Sequence, residues 1–157
     1  MSEKGDVFNL QQPVQKSHDG ITELRSRFEA DRAKMSADVL GLAERMRDMR
    51  NLADVGPDLF YKRQVILEQN HTLQTLLARM SANYRKQEAR RLETYMTGKM
   101  KVSDQKIMVA ADLADEQEKI DLLSSQVEFM KESMKGIENM IYGVKNRIAV
   151  EEYRRPT

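Results

Sequence analysis

The sequence predicts an all-α protein of long helices, closed by a heptad-patterned C-terminal helix that assembles into a homo-oligomeric ring or bundle. Three observations lead there. Apolar residues recur at helical spacing over most of the chain. Breakers are rare, with 7 Gly and 3 Pro in 157 residues. Charged residues reach 32% while aromatics are only 6%, a balance that suits helices with narrow apolar stripes better than a sheet.

Met1 to His18 is polar and aperiodic and contains Pro13, so residues 1–18 read as a flexible arm. Asp19 can accept a bond from an orphan N–H of a following first turn. Ile21, Phe28, Met35, Leu42 and Met49 then recur every seven residues, thickened by Leu24, Val39 and Met46. They predict a first helix from Ile21 to Asn51 within a 19–52 segment, ~45 Å long at the α-helical rise. Asp31 and Arg32 interrupt its stripe. Gly56-Pro57 is the expected stop, with Pro57-Asp58 opening the next helix. That second helix is expected from Asp58 to Met96, within a 58–102 segment. Its stripe is Leu59, Ile66, Leu73 and Met80, with Val65, Leu76, Leu77 and Tyr84 beside it. Thr97-Gly98 reads as its end.

The third helix belongs to segment 103–155 and starts at Ser103 or at Asp112; Met100 to Val109 also tolerates an extended reading. Beyond it the register is strict. Leu113, Ile120, Val127, Met134, Ile141 and Ile148 stand at sevens, and Leu123, Met130, Ile137 and Val144 fall three after Ile120, Val127, Met134 and Ile141. This is an a/d pattern. Its partner is either an earlier helix or another copy of the chain. Two long narrow stripes make a thin core, which favours self-association through Ile120, Leu123, Val127, Met130, Met134, Ile137, Ile141, Val144 and Ile148. Gly136 and Gly143 share one heptad position and mark either a close helix approach or tolerated surface glycine.

Several function classes drop out. With no cysteine there is no disulfide scaffold, zinc–thiolate site or cysteine nucleophile. The longest apolar run, Ile107 to Ala111, is far shorter than the roughly 20 residues of a membrane span. Met1 to Leu10 lacks the apolar core of a secretory signal, so the expected compartment is the cytoplasm. His18 lies in the polar arm. Glu68 and His71 have the E-x-x-H spacing of di-iron bundles, but such a site needs a second pair and two further carboxylates. No phosphate loop, nucleophile elbow or H-E-x-x-H occurs. The expectation is a protein that is no enzyme and carries no cofactor or metal.

Charge is balanced overall, at a formal +1, but not along the chain. From Arg79 to Lys106 eight basic residues face three acidic ones, a net +5. From Asp112 to Glu132 the net is −5. Within the basic segment Arg85, Lys86, Arg90, Arg91, Lys99 and Lys101 can follow a phosphate backbone, and Tyr95 can offer a face to an unstacked base. The competing reading is a solvated helix face, with Glu88 and Glu93 answering the neighbouring cations.

The segment Gln87-Glu88-Ala89-Arg90-Arg91-Leu92-Glu93-Thr94-Tyr95-Met96-Thr97-Gly98-Lys99 resembles a helix end of the UvsY family, the recombination mediators of T-even-like phages. Lys106 to Asp112, Gln126 to Phe129, Ile137 to Ile141 and Val144 to Arg154 resemble that family's downstream link, terminal helix and closing end. Tyr95-Met96 stands where two tyrosines are usual, and the first long helix has no counterpart. The resemblance implies an all-helical protein that forms rings through its C-terminal helices. It also implies a protein that binds single-stranded DNA, promotes release of a single-strand-binding protein and helps load a recombinase. Arg90 and Arg91 match the family's DNA-contacting pair, and Lys99 the basic residue after the turn. The alternative is a coiled-coil adaptor or scaffolding protein, of phage origin, that does not bind DNA.

Overall fold

The computed structural model describes residues 12–96, 98 and 100–154, with side chains from residue 20 onward. Among them are four α-helices and no strand: α1 Gln12–Arg45, α2 Leu52–Met96, α3 Val102–Asp112 and α4 Ala114–Arg154. A 3-10 turn, Met49–Asn51, leads into α2. The chain is all-α, as its periodicity requires.

Helix α1 begins earlier than the first apolar residue of its stripe. Residues 12–18, expected in the arm, continue the helix, with Pro13 in a first turn where its missing N–H costs nothing. The rest of the arm, Met1 to Gln11, lies outside the described residues. The end of α1 also differs from expectation. The chain turns at Met46 to Asp48, not at Gly56-Pro57. Asp48 is extended and its carboxylate accepts from the Arg50 backbone N–H at 2.9 Å. The Arg147 guanidinium donates to the Met46 carbonyl, one of the orphan acceptors at the end of α1.

Gly56 and Pro57 are therefore inside α2. Pro57 forfeits one helical hydrogen bond, at a cost of roughly 3 kcal/mol in a helix interior. Around it Leu52, Val55 and Leu59 are buried, the last two completely. Each such side chain is worth about 1.5–3 kcal/mol. Three of them outweigh the proline, and they reach the core only if the helix already exists there.

Helix α2 ends at Met96, and Gly98 N–H bonds the Tyr95 carbonyl at 3.3 Å. Met100 and Lys101 lie outside any helix, with Lys101 extended, and from Val102 the segment is helical, which corrects the extended reading of Met100 to Val109 beyond its first two residues. Gln105 secures the entry: it is buried and its carboxamide donates to the Met100 carbonyl at 3.0 Å. Of the two expected starts of a third helix, Ser103 lies one residue inside α3, whereas Asp112 is the last residue of α3 and the next helix begins at Ala114. Leu113, with φ −108° and ψ 12°, breaks α3 from α4 yet stays buried.

Cross-helix bonds give the topology. Arg25–Glu118 at 2.5 Å and Arg32–Gln126 at 2.7 Å set α1 parallel to α4. Arg63–Glu138 at 2.7 Å, with the Lys145 ammonium over the Phe60 ring, sets α2 antiparallel to α4. Arg45–Asp58 at 2.6 Å and the Lys62–Asp38 pair set α1 antiparallel to α2. Helix α4 packs most extensively on α2 and next on α1, so it is the central element of a three-helix bundle.

Six of the nine residues expected to join copies through the C-terminal seam have partners within their own chain. Leu123, Val127, Met130, Ile137, Ile141 and Val144 are all buried within one protomer. Ile120 and Met134 are half-buried, and only Ile148 is exposed. Helices α1 and α2 each carry a narrow stripe, but they flank α4 from two sides. Met35, Leu52, Val55, Leu59 and Ile66 join Met130, Ile137, Ile141 and Val144 in one cluster. Two polar atoms, Asn70 Oδ1 and Gln126 Nε2, are buried with no hydrogen-bond partner. Gly136 and Gly143 do not mark a tight crossing. A Cβ at Gly136 would meet nothing within 4 Å, and one at Gly143 would lie 3.6 Å from the Met46 methyl, an ordinary contact.

Candidate nucleic-acid interface

The last turns of α2 pack against α3, where Arg91 and Tyr95 meet Asp112. Met80, Tyr84, Glu88, Leu92 and Tyr95 are half-buried at spacings of three and four, so they mark the inward stripe. At about 100° per residue, Arg79, Lys86 and Arg90 fall on the opposite side. All three are exposed, as is Arg85. From Arg79 to Lys86 the helix rises ~10.5 Å and from Lys86 to Arg90 ~6 Å, which makes a line of cations along one solvent face. The intrahelical pairs expected with Glu88 and Glu93 do not form. Among the described residues the close ion pairs of this region are limited to Arg91.

Arg91 is engaged elsewhere. Its Nη1 lies 2.8 Å from Asp112 Oδ2, and the Tyr95 hydroxyl donates to the same oxygen at 2.8 Å. That bond to a carboxylate holds the Tyr95 phenol above the usual tyrosine range, with desolvation adding to it. Of the seven residues expected in the interface, Arg85, Lys86 and Arg90 are thus exposed and uncommitted, whereas Arg91 and Tyr95 are held by Asp112. Lys101 is exposed at the start of α3. Lys99 lies outside the described residues.

Two residues escape a sequence reading of this site. Arg79 belongs to the solvent-facing line, a fact recoverable from its spacing of seven to Lys86. Asp112 is the counter-ion of Arg91, and nothing local signals it, because 21 residues and a helix turn separate the two. The acidic segment is in part a helix start: Asp115 and Glu116 sit in the first turn of α4, where negative charge suits the dipole. Glu118 is spent on Arg25, and Asp121 accepts from Gln117.

A second concavity lies between α1 and α2, a groove of about 670 Å³ floored by Leu123, Gln126 and Met130 of α4. Phe28, Met35 and Leu73 line its walls, with Lys34 and Lys62 at its edge. Of its polar lining residues, Lys62 is paired with Asp38 across the groove. Glu68 of the E-x-x-H pair accepts from Gln64 at 3.0 Å, and His71 is exposed. Among the described residues no three His, Cys, Asp or Glu side chains group as metal ligands, and no helix is long and apolar enough to cross a membrane.

The chain matches no protein-family model, no curated protein and no solved structure.

Proposed function

We propose that this protein is a non-catalytic helical bundle that holds a single-stranded nucleic acid along the end of α2. The observation that carries the reading is the line Arg79, Lys86 and Arg90: three exposed cations on one face, free of the ion pairs that neutralise Arg91. Cations arranged this way attract phosphates irrespective of base sequence, and Arg85 and Lys101 extend the field. The resemblance supplies the specific role. A strand bound here is handed to a recombinase as a single-strand-binding protein leaves it, in the host cytoplasm for a phage-encoded chain. No bond is made or broken, and the mechanism needs no cofactor.

Binding of a labelled oligothymidine, followed by anisotropy over a salt series, tests this. Affinity falls as salt rises, with a slope of about −0.7 per phosphate engaged on a single strand. Lys86→Ala plus Arg90→Ala weakens binding and reduces that slope by roughly 1.4, with helicity unchanged. Salt-insensitive binding, or full binding by the double variant, overturns the assignment. The second reading, an adaptor without nucleic acid, is favoured by the apolar groove between α1 and α2. A chain that fails to bind the oligonucleotide even at low salt selects it.

A further inference from the structure

Helix α3 is apolar on two sides and covered on one. Its inward side buries Gln105 and Val109. By helical geometry its outward side carries Ile107, Ala110 and Ala111, with Ser103 between them, all exposed; the exposed Val102 and Met108 fall nearer the covered side. Val102 and Ile107 keep 66% and 67% of their surface in solvent. An isolated helix of 11 residues is marginal in water, and an exposed isoleucine and two alanines on its outward side gain from cover. This outward side is also part of the longest apolar run of the chain, of which Val109 is buried while Ile107, Ala110 and Ala111 are left exposed.

The charges beside the apolar strip specify what fits it. By helical geometry Lys106 stands on one edge of the outward face and Asp104 on the other, two residues apart. Lys106 is exposed, and Asp104 accepts a 3.3 Å bond from Ser103. When two copies of this helix lie side by side and parallel, the Lys106 edge of one meets the Asp104 edge of the other, twice by symmetry. In an antiparallel pair each edge meets its own kind, lysine against lysine. A membrane surface satisfies the apolar strip but opposes Asp104, and the acidic start of α4 is next to it. The face is self-complementary in one orientation.

We infer that the outward face of α3 is an interface between copies of this chain, with the two α3 helices parallel. Ile107, Ala110 and Ala111 form its centre, and Lys106–Asp104 pairs form its edges. The inference stands apart from the nucleic-acid reading, since it uses none of Arg79, Lys86 or Arg90. It has a consequence for that reading. Parallel copies carry their α2 ends on the same side, so that several cation lines become one field. The contact between copies then falls on α3, not on the α4 seam, which the bundle itself consumes.

Light scattering on the full chain, without nucleic acid, tests the interface. The chain mass is 18.2 kDa, and a multiple of it is expected. Ile107→Glu and Ala110→Arg, both exposed substitutions, return the mass to one chain while circular dichroism stays unchanged. Lys106→Asp alone weakens association, and Lys106→Asp with Asp104→Lys restores it, as only the parallel arrangement allows. A wild-type chain that stays monomeric at the highest attainable concentration overturns the inference. So does a mass unaltered by both face variants. Sedimentation of a monomeric chain with phosphatidylserine vesicles, lost in Ile107→Glu, assigns the face to lipid and also overturns it.

Discussion

Arg32 of α1 donates through Nε to the carboxamide oxygen of Gln126 on α4, at 2.7 Å. Its Nη2 reaches Ser125 Oγ at 2.9 Å, and its guanidinium lies 5.6 Å from the centre of the Phe129 ring. In the heptad pattern Arg32 is an interruption of an apolar stripe. In the bundle it is the partner of a polar side chain that is 1% exposed. The pair fixes the register of two parallel helices, since a shift of one turn strands both groups.

Arg32→Ala is expected to destabilise the fold by about 1–3 kcal/mol, because Gln126 then loses its remaining bond while buried. Replacing both by leucine removes the buried amide, including its unpaired Nε2, and is expected to be neutral or stabilising. Urea midpoints of Arg32→Ala and of the double leucine variant measure the difference. Equal losses in Arg32→Ala and in the double leucine variant would show that the hydrogen bond is not what the site contributes.

Ile137 is 0% exposed within a single chain. Ile137→Asp leaves a cavity and puts a carboxylate among apolar side chains, at a cost on the order of 4 kcal/mol or more. The expected result is loss of helical circular dichroism and of cooperative melting. A well-folded variant of reduced mass would instead mean that α4 packs between copies.

Gly136 has nothing within 4 Å of an added Cβ, and no described residue has a positive φ. Gly136→Ala therefore gains helix propensity at no steric cost, about 0.5–1 kcal/mol. A higher melting temperature is the readout. A lower one would reveal a neighbour at this face that the single chain lacks.

The hydroxyl of Tyr95 titrates above an ordinary tyrosine because it donates to Asp112. A raised folded-state value means that the contribution to stability is fully present below the unfolded tyrosine value, ~10, and is lost as pH rises through the folded one. Asp112→Asn removes the charged acceptor and lowers the Tyr95 value. Ultraviolet titration, with Tyr95→Phe as the subtraction, isolates this phenol from the other four tyrosines. An unmoved titration in Asp112→Asn would exclude the contact.

Asp38 shifts the other way. The hydrogen bond from Lys62 holds its carboxyl below the usual carboxylate range. Its contribution is present above the unfolded value, ~3.9, and lost as pH falls through the folded one. Asp38→Asn is expected to flatten the acid limb of stability against pH. The effect is small, because the pair is partly exposed and screened.

The sequence alone determined that the protein is helical, where most of the core residues lie and where the uncompensated cations gather. These are consequences of local spacing. Ile66 and Ile137 are readable as core because apolar residues recur around them at helical intervals, and Lys86 and Arg90 as exposed because they fall opposite such a stripe. Tertiary structure alone decided three things. It kept α2 helical through Pro57, because the burial of Leu52, Val55 and Leu59 exceeds the lost hydrogen bond. It gave the α4 seam to α1 and α2, since a heptad stripe specifies an apolar partner and not whose chain supplies it. And it paired Arg91 with Asp112, because charges 21 residues apart interact only after a turn has brought their helices together, and no periodicity along the chain encodes that distance.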